Sequence, residues 1–314
     1  MTTTVPDAAP TVAATAPAPA SAEETGRRRR TPPPPPPPSE SGMVVNATLT
    51  VVALLCLWLV VHLLFLGAVS HDRAQSLLHS ELRSQLAGAT APVGPVTEPG
   101  APVALLSIPA IGVEETVVEG TAAGDLFAGP GHRRDTVLPG QVGASTLYGR
   151  STTYGAPFRD LDRLAAGDLI KVTMAQGKVT FRVLGLRHDG DPLPQPAAQG
   201  AARLTLVTAA GEGRFARMMP GSTVYVDAEA AQGFPAPAGL SPSVPESEEA
   251  MKSGTEALPL LTLWLALLIG LVVATQLARQ RWTRTQVWVV GCAPLLALSW
   301  LTTDTAMRLL PNLI

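Results

Sequence analysis

Apolar residues are spread unevenly along the chain. Residues 43–69 (MVVNATLTVVALLCLWLVVHLLFLGAV) are apolar almost throughout, and only Asn46 and His62 are strongly polar. A spanning helix needs roughly 20 such residues, whereas the core of a signal peptide runs about 7–15. The run therefore predicts an uncleaved transmembrane helix, with cleavage near Ala68-Val69-Ser70 as the alternative. Residues 258–278 form a second, charge-free span, and residues 285–303 a third, weaker one interrupted by Pro294. His62, an ionisable group inside a span, reads as a neutral imidazole with a local partner, since no second ionisable group shares its span. Asp304 and Arg308, four apart on a helix, read as a local ion pair near the membrane surface.

Between the spans the pattern changes. Ala74, Leu78, Leu82 and Leu86 recur every four residues and predict a helix that leaves the membrane and ends near Gly88. Residues 70–100 are then a juxtamembrane helix and linker, and residues 231–257 an acidic, Pro-rich linker carrying Glu246, Glu248, Glu249 and Glu256. Residues 101–230 are of single-domain size. The stretches VVEG, LIKVTM, VTFRVLGL, RLTLVT and STVYVDAEA are β-branched or alternating, with Gly, Pro or Asp between them. Asp160 to Leu164 predicts a short helical turn, and no amphipathic helix spans the segment. An all-β barrel or sandwich follows.

Composition narrows the function. Of the 30 prolines, the largest block lies in residues 1–42, which also hold Arg27–Arg30. That low-complexity stretch buries too little apolar surface to fold. It predicts a disordered tail with a polyproline II run at Pro32–Pro38, read as solvated or as a docking motif. Arg27–Arg30 and the loop arginines Arg279, Arg281 and Arg284 flank the spans. By the positive-inside rule they are cytoplasmic, which puts residues 70–257 and the C-terminus outside the cell. The formal net charge is −2, and residues 101–230 hold 12 Lys/Arg against 13 Asp/Glu. Nothing in this balance favours nucleic acid. The two cysteines, Cys56 and Cys292, both lie in apolar runs. They exclude a disulfide framework and a Cys-rich zinc site, and leave no thiol for residues 101–230. His188, Asp189 and Asp191 are the nearest approach to a metal site, but they are adjacent on one loop. No cofactor is expected.

Several short motifs occur in a telling order. Ile108-Pro109-Ala110-Ile111-Gly112-Val113 is followed by Val117-Val118-Glu119-Gly120, then Gly129-Pro130-Gly131-His132 and Pro139-Gly140-Gln141. Thr152-Thr153-Tyr154-Gly155-Ala156-Pro157-Phe158 comes next, then Gly167-Asp168-x-Ile170-x-Val172, and then Leu204-Thr205-Leu206-Val207-Thr208. This succession resembles the sortases, in particular the class D/E type of actinobacteria. The resemblance covers Leu106 to about Ala230. It implies an all-β sortase-like barrel; with the spans, charge and composition above, the expected architecture is an extracellular barrel, three transmembrane helices and a disordered N-terminal tail.

Sortases cleave a sorting signal such as LPXTG and join the new carboxyl end to an amine. That chemistry takes a thiolate nucleophile, an imidazole for the protons and a guanidinium for the oxyanion. By the resemblance, Arg150 stands at the histidine position, Ala209 at the cysteine position and Ala144 at that of an asparagine. Arg214 and Arg217 are candidates for the arginine, although Thr223 aligns better. Alanine has no nucleophile, and arginine, with a pKa above 12, shuttles no protons near neutrality. The candidate groove residues are therefore Arg150, Thr208, Ala209, Arg214 and Arg217. Gly129, Pro130, Gly131, His132 and Tyr154 read as structural members of the motifs, with His132 a turn-stabilising hydrogen bonder.

Three functional readings follow. The first is a membrane-anchored, non-catalytic sortase-like protein that binds a peptide, a protein or a cell-wall component. The second is an active transpeptidase or hydrolase using Ser151 or Thr208. The third is a scaffold subunit whose C-terminal spans pack on a membrane partner through Gly270, Thr275 and Gly291, with self-packing of the three helices as an equal alternative.

Overall fold

The computed structural model describes residues 49, 53–54, 56–94, 97–211, 221–278 and 280–314. The expected N-terminal tail, the first part of the first span, Arg214 and Arg217 lie outside the described residues.

Alternation along the strands builds the barrel. In β6 (Gly177–His188), Val179, Phe181 and Val183 are buried while Lys178, Thr180 and Arg182 are exposed, the period of two that a half-buried strand requires. The other strands are β1 (Pro102–Ile108), β2 (Val113–Glu119), β3 (Gly131–His132), β4 (Gly143–Tyr148), β5 (Leu169–Met174), β7 (Ala202–Ala210) and β8 (Ser222–Ala230). They close in the order β1-β2-β3-β4-β7-β8-β6-β5, and β5 pairs back to β1. All neighbours are antiparallel except β2–β3 and β4–β7. Closure leaves no open sheet edge. Leu106, Ile108, Leu147, Ile170, Phe181, Leu204, Leu206 and Val226 fill the interior. The five β-rich stretches of the sequence fall in β2, β5, β6, β7 and β8. The short turn expected at Asp160–Leu164 is a 3-10 turn at Leu161–Arg163.

Helix α1 (Gly67–Ala87) continues from helical residues 56–61 through a π-helical turn at His62–Leu66. It buries Leu78 and Leu82, half of its four-residue stripe. Polar bonds fix its position on β2. Gln75 donates to Thr116 O (3.1 Å) and Ala128 O (2.6 Å) and accepts from Thr116 N–H (2.7 Å). His71, also buried, lies 3.1 Å from both Phe127 O and Glu115 Oε1.

Helices α2 (Leu258–Ala278) and α3 (Arg284–Met307) form an apolar hairpin. Three spans are expected from the sequence. Among the described residues two helical segments are long and apolar enough to cross a membrane, Thr255–Thr275 and Thr285–Met307. Pro294 does not interrupt α3. The helices meet where Gly291 faces Thr275, since a Cβ on Gly291 would lie 3.1 Å from Thr275 Cγ2, whereas Gly270 has nothing within 4 Å. The first apolar segment touches α3 as well: Trp58 donates to Thr303 Oγ1 (2.9 Å), and His62 meets Trp300 edge-on at 5.2 Å.

Two expectations are corrected. Part of 231–257 is no free linker. Phe234 exchanges hydrogen bonds with Val142 (2.8 Å) and Gly140 (2.9 Å), and Glu248 is buried against Arg134. Buried backbone and charge need partners, and the barrel supplies them. Asp304 and Arg308 do not form an ion pair. Asp304 accepts instead from Tyr154 Oη at 3.2 Å, and Arg308 lies over Gly124.

Candidate functional site: the outer face of β4, β7 and β8

Register brings together two positions singled out in the sequence, Ala209 and Thr223. Tyr148 on β4 lies opposite Val207 on β7, and Val207 opposite Tyr225 on β8. Two residues on, Ala209 faces Thr223. Ala209 is 5% exposed and shares an outward apolar cluster with Tyr148, Val207, Leu126 and Leu313. A cleft of about 330 Å³ opens beside it, lined by Ser151, Asp162, His188, Thr208, Ala209 and Ser222 among others.

Arg150 does not line that cleft. It follows β4, is fully buried, and is the largest side chain so enclosed. Its guanidinium donates from Nη1 to Thr153 Oγ1 (2.9 Å) and Ile314 O (3.1 Å), and from Nη2 to Ala123 O (3.0 Å). It also sits 4.6 Å over the Phe127 ring, a cation–π contact that helps hold a desolvated cation. Nε has no partner. Burial pulls its pKa down to about 10 against the raising fields of Tyr154 and Asp304, so the group stays charged near neutrality. Arg150, expected to line the groove, is instead a buried fork that binds two main-chain oxygens and the Thr153 hydroxyl.

The neighbouring hydroxyls are engaged. Thr208 Oγ1 donates to Gly149 O (2.8 Å), and Ser151 Oγ to Leu313 O (3.2 Å). Neither bonds to an imidazole among the described residues. Thr223 donates through both N–H and Oγ1 to Asp189 (3.0 and 2.6 Å), and Tyr225 Oη adds a third bond at 3.0 Å. Those bonds, the Thr223 hydroxyl first, hold the Asp189 carboxyl below its usual pKa. Asp189 is thus tied to β8, while His188 is exposed with Nδ1 3.8 Å from Asp191. The described residues contain no cluster of three or more potential metal ligands.

The motif residues have definite structural work. A Cβ on Gly129 would lie 2.2 Å from Gln75 Nε2, and one on Gly131 2.1 Å from Gly120 O. Only glycines let the 129–131 segment come so close to α1 and to the end of β2. His132 is buried, with Nδ1 2.9 Å from Glu119 Oε2 and Nε2 2.9 Å from Val137 O. Tyr154 stacks on Phe127 at 4.0 Å and lies 3.5 Å from His62 Nε2. It holds φ +49°, Gly155 +75° and Ala156 +47°. Three successive left-handed residues, two with side chains, store strain that the surrounding contacts have to offset.

A second cleft of about 450 Å³ continues along the same face, lined by Arg133, Thr146, Tyr148, Arg187, Tyr225 and Glu249 among others. Its guanidiniums are neutralised locally, Arg133 by Asp135 and Arg187 by Asp227, each at 2.7 Å.

Sequence reasoning missed the walls that residues 246–254 and 308–314 build over this face. Asn312 N–H donates to Lys252 O (2.9 Å), and its amide to Thr121 O (2.8 Å) and Glu249 O (2.9 Å). Ser151 N–H donates to Leu313 O (3.0 Å), and Thr153 Oγ1 to Ile314 O (2.6 Å). The apolar Leu309-Leu310-Pro311 stretch just past a span was the one signal available.

The motif order implied an all-β sortase-like barrel, and the chain forms a closed barrel of eight strands. Residues 106–225 match the sortase domain family. Sortase D of Bacillus subtilis (strain 168) is 34% identical over 87 residues, which are 28% of this chain and 42% of that protein. The match therefore spans less than half of the relative's length. Among solved structures, the Sortase D5 transpeptidase of Clostridium perfringens aligns at 20% identity and TM-score 0.40, over 52% of this chain and 98% of that one. A sortase E variant from Streptomyces avermitilis aligns at 26% identity and TM-score 0.36, over 49% and 100%. The match to the sortase domain family thus covers most of the barrel.

Proposed function

We propose that the chain is a membrane-anchored, non-catalytic sortase-like protein whose barrel holds a peptide, protein or cell-wall ligand without turning it over. The observation that carries this is Ala209, a methyl group on β7 facing Thr223 on β8, where the family's chemistry takes a thiolate. Acyl transfer through a thioacyl enzyme cannot begin without that nucleophile. Arg150 takes the imidazole's place, but it stays charged and is committed to three oxygens, so it neither accepts nor returns a proton at neutral pH. What survives is recognition: a groove with main-chain donors and side-chain pockets keeps its affinity when the nucleophile is lost. The alternative nucleophiles Ser151 and Thr208 point their hydroxyls at carbonyl oxygens, which opposes the active-enzyme reading.

The two apolar helices support membrane anchoring. The basic clusters support a cytoplasmic N-terminus and an extracellular barrel. The bond from Gly254 N–H to Arg308 O (2.9 Å) supports a C-terminus on the barrel's side, because it joins the two outer ends of the hairpin. The contact of Gly291 with Thr275 favours self-packing of the spans over a scaffold role.

The test is turnover by the full chain in mild detergent. A sorting-signal peptide and an amine acceptor are supplied, and products and acyl adducts are followed by mass spectrometry. No product above the protein-free control is expected. Transfer, hydrolysis or an adduct on Ser151 or Thr208 would sink the reading.

A further inference from the structure

Helix α1 is clasped to the barrel by two side chains one turn apart, His71 and Gln75. Gln75 is neutral, and its three bonds to Thr116 and Ala128 are indifferent to pH. His71 is different. Its imidazole is 2% exposed and fills a slot between three parts of the chain. Nε2 lies 3.1 Å from Glu115 Oε1 on β2, and Nδ1 lies 3.1 Å from Phe127 O in the turn Asp125–Phe127. Gly155 closes the slot, since a Cβ there would lie 2.3 Å from His71 Cδ2. The oxygens beside the two ring nitrogens are both acceptors. A neutral imidazole has one N–H and one lone pair, so it can serve only one of them. Its lone pair would then face the other oxygen at 3.1 Å. The geometry therefore holds an imidazolium, with both N–H groups donating. Glu115 depends on the same bond, because its Oε2 is buried and has no partner among the described residues.

We propose that His71 is a proton-operated latch at the start of α1. The imidazolium locks the first turns of the helix to β2 and to the 125–127 turn, and loss of the proton frees them while Gln75 and the barrel stay in place. The inference does not depend on what the groove holds or whether it turns anything over. The latch lies just past the apolar run 43–69, so it sets how stiffly the barrel is joined to that segment. A neutral His71 leaves Glu115 as a largely buried carboxylate without its partner, which drives the two surfaces apart. The charged groups acting on His71 are Glu115 on β2 and Asp72 on its own helix. The turns packed against it carry Asp125 and Tyr154, and burial pushes the Tyr154 phenol up, so that group stays neutral. Burial works against the imidazolium, but the bond and field of Glu115 and the Phe127 carbonyl outweigh it and raise the His71 pKa above the usual 6.5. A raised pKa means that the latch is closed below 6.5 and opens as the pH climbs through the higher folded value.

The experiment is hydrogen exchange of the full chain in one mild detergent from pH 5.5 to pH 9, read as protection factors so that the intrinsic pH dependence of exchange cancels. Asp125→Asn is the common background, which removes another group that titrates in this range. Protection of residues 70–76 is expected to fall by at least about tenfold over the range, the change that one unit of pKa shift gives, while β7 and β8 keep theirs. His71→Gln keeps a donor and cannot be charged, so its protection should not change with pH. Glu115→Gln removes the anion and leaves an acceptor, so the fall should move to lower pH. This second variant keeps the proposal refutable if the first one misfolds. No fall in the parent, the same fall in His71→Gln, a fall shared by β7 and β8, or an unmoved midpoint in Glu115→Gln overturns the proposal.

Discussion

Asp125 provides a quantitative test of how the roof of the site is built. It opens the 3-10 turn Asp125–Phe127, beside Ala123, which anchors Arg150, and Phe127, which covers it. Burial pushes its carboxyl pKa up from 3.8 to about 6, against the lowering fields of Arg134 and Arg308. An acid with a raised pKa binds its proton more tightly when folded. Its contribution to stability is therefore complete below pH 4 and is lost as the pH rises through about 6. At about 1.4 kcal/mol per tenfold change in proton affinity, the ionised form costs roughly 3 kcal/mol at pH 8. Asp125→Asn keeps the shape and removes the ionisation. The variant should match the wild type at pH 4 and exceed it by up to roughly 3 kcal/mol at pH 8, a rise of about 6–12 °C in Tm for a domain of this size. Thermal unfolding of the full chain in one detergent across pH 4–8 measures the gap. A gap that is the same at both ends, or a variant less stable at pH 8, would refute the burial account. Some slope should persist in the variant because of His71. Burial opposes its charge, but the hydrogen bond and field of Glu115 and the carbonyl of Phe127 outweigh burial and raise its pKa. Its contribution too is lost as the pH rises.

Other perturbations separate local causes. Gly155→Ala places a Cβ 2.3 Å from His71 Cδ2 on a residue with φ +75°, whereas Gly167→Ala, at φ +101°, meets nothing within 4 Å. Both variants pay about 1–2 kcal/mol for a left-handed side chain, and only the first adds about 1–3 kcal/mol of overpacking; equal Tm losses would show that α1 does not press on that turn. Arg134→Ala leaves Glu248, 2% exposed, without its ion-pair partner, which should cost about 3 kcal/mol. Limited proteolysis is expected to cut at Lys252 several-fold faster in that variant, and unchanged cutting would mean that the 246–252 wall is held by other contacts.

The barrel was legible in the sequence because its strands obey a local rule. β6 alternates one residue in and one out, and the eye can follow it without knowing the partner strands. Ala209 was singled out by motif order and Thr223 only as an alternative in alignment to Arg214 and Arg217; that the two face each other emerges from the register of β7 and β8. Arg150 was found but misplaced. Its surroundings are Phe127, Ala123 and Ile314, 23 to 164 residues away in the chain, and no local pattern announces them. Asp304 and Arg308 have the spacing of a helical ion pair, yet the Tyr154 hydroxyl takes the carboxylate. Spacing shows which groups can meet, and competition from the rest of the fold decides which do. The seven residues after α3 carry no periodicity at all, so the burial of Asn312, Leu313 and Ile314 was invisible until three loops closed around them.

The bond between Gly254 and Arg308 has a mechanical consequence. In the proposed orientation the barrel is moored to the bilayer through two chain segments, the apolar residues that lead into α1 and the α2–α3 hairpin, which touch each other at Trp58 and Thr303. A domain on a single tether swings through a wide volume and meets partners by chance. A domain moored twice keeps its cleft at a set height and heading above the lipid. Partners carried in the same membrane then meet the cleft in a fixed pose, and the search for contact is confined to a thin layer rather than a sphere.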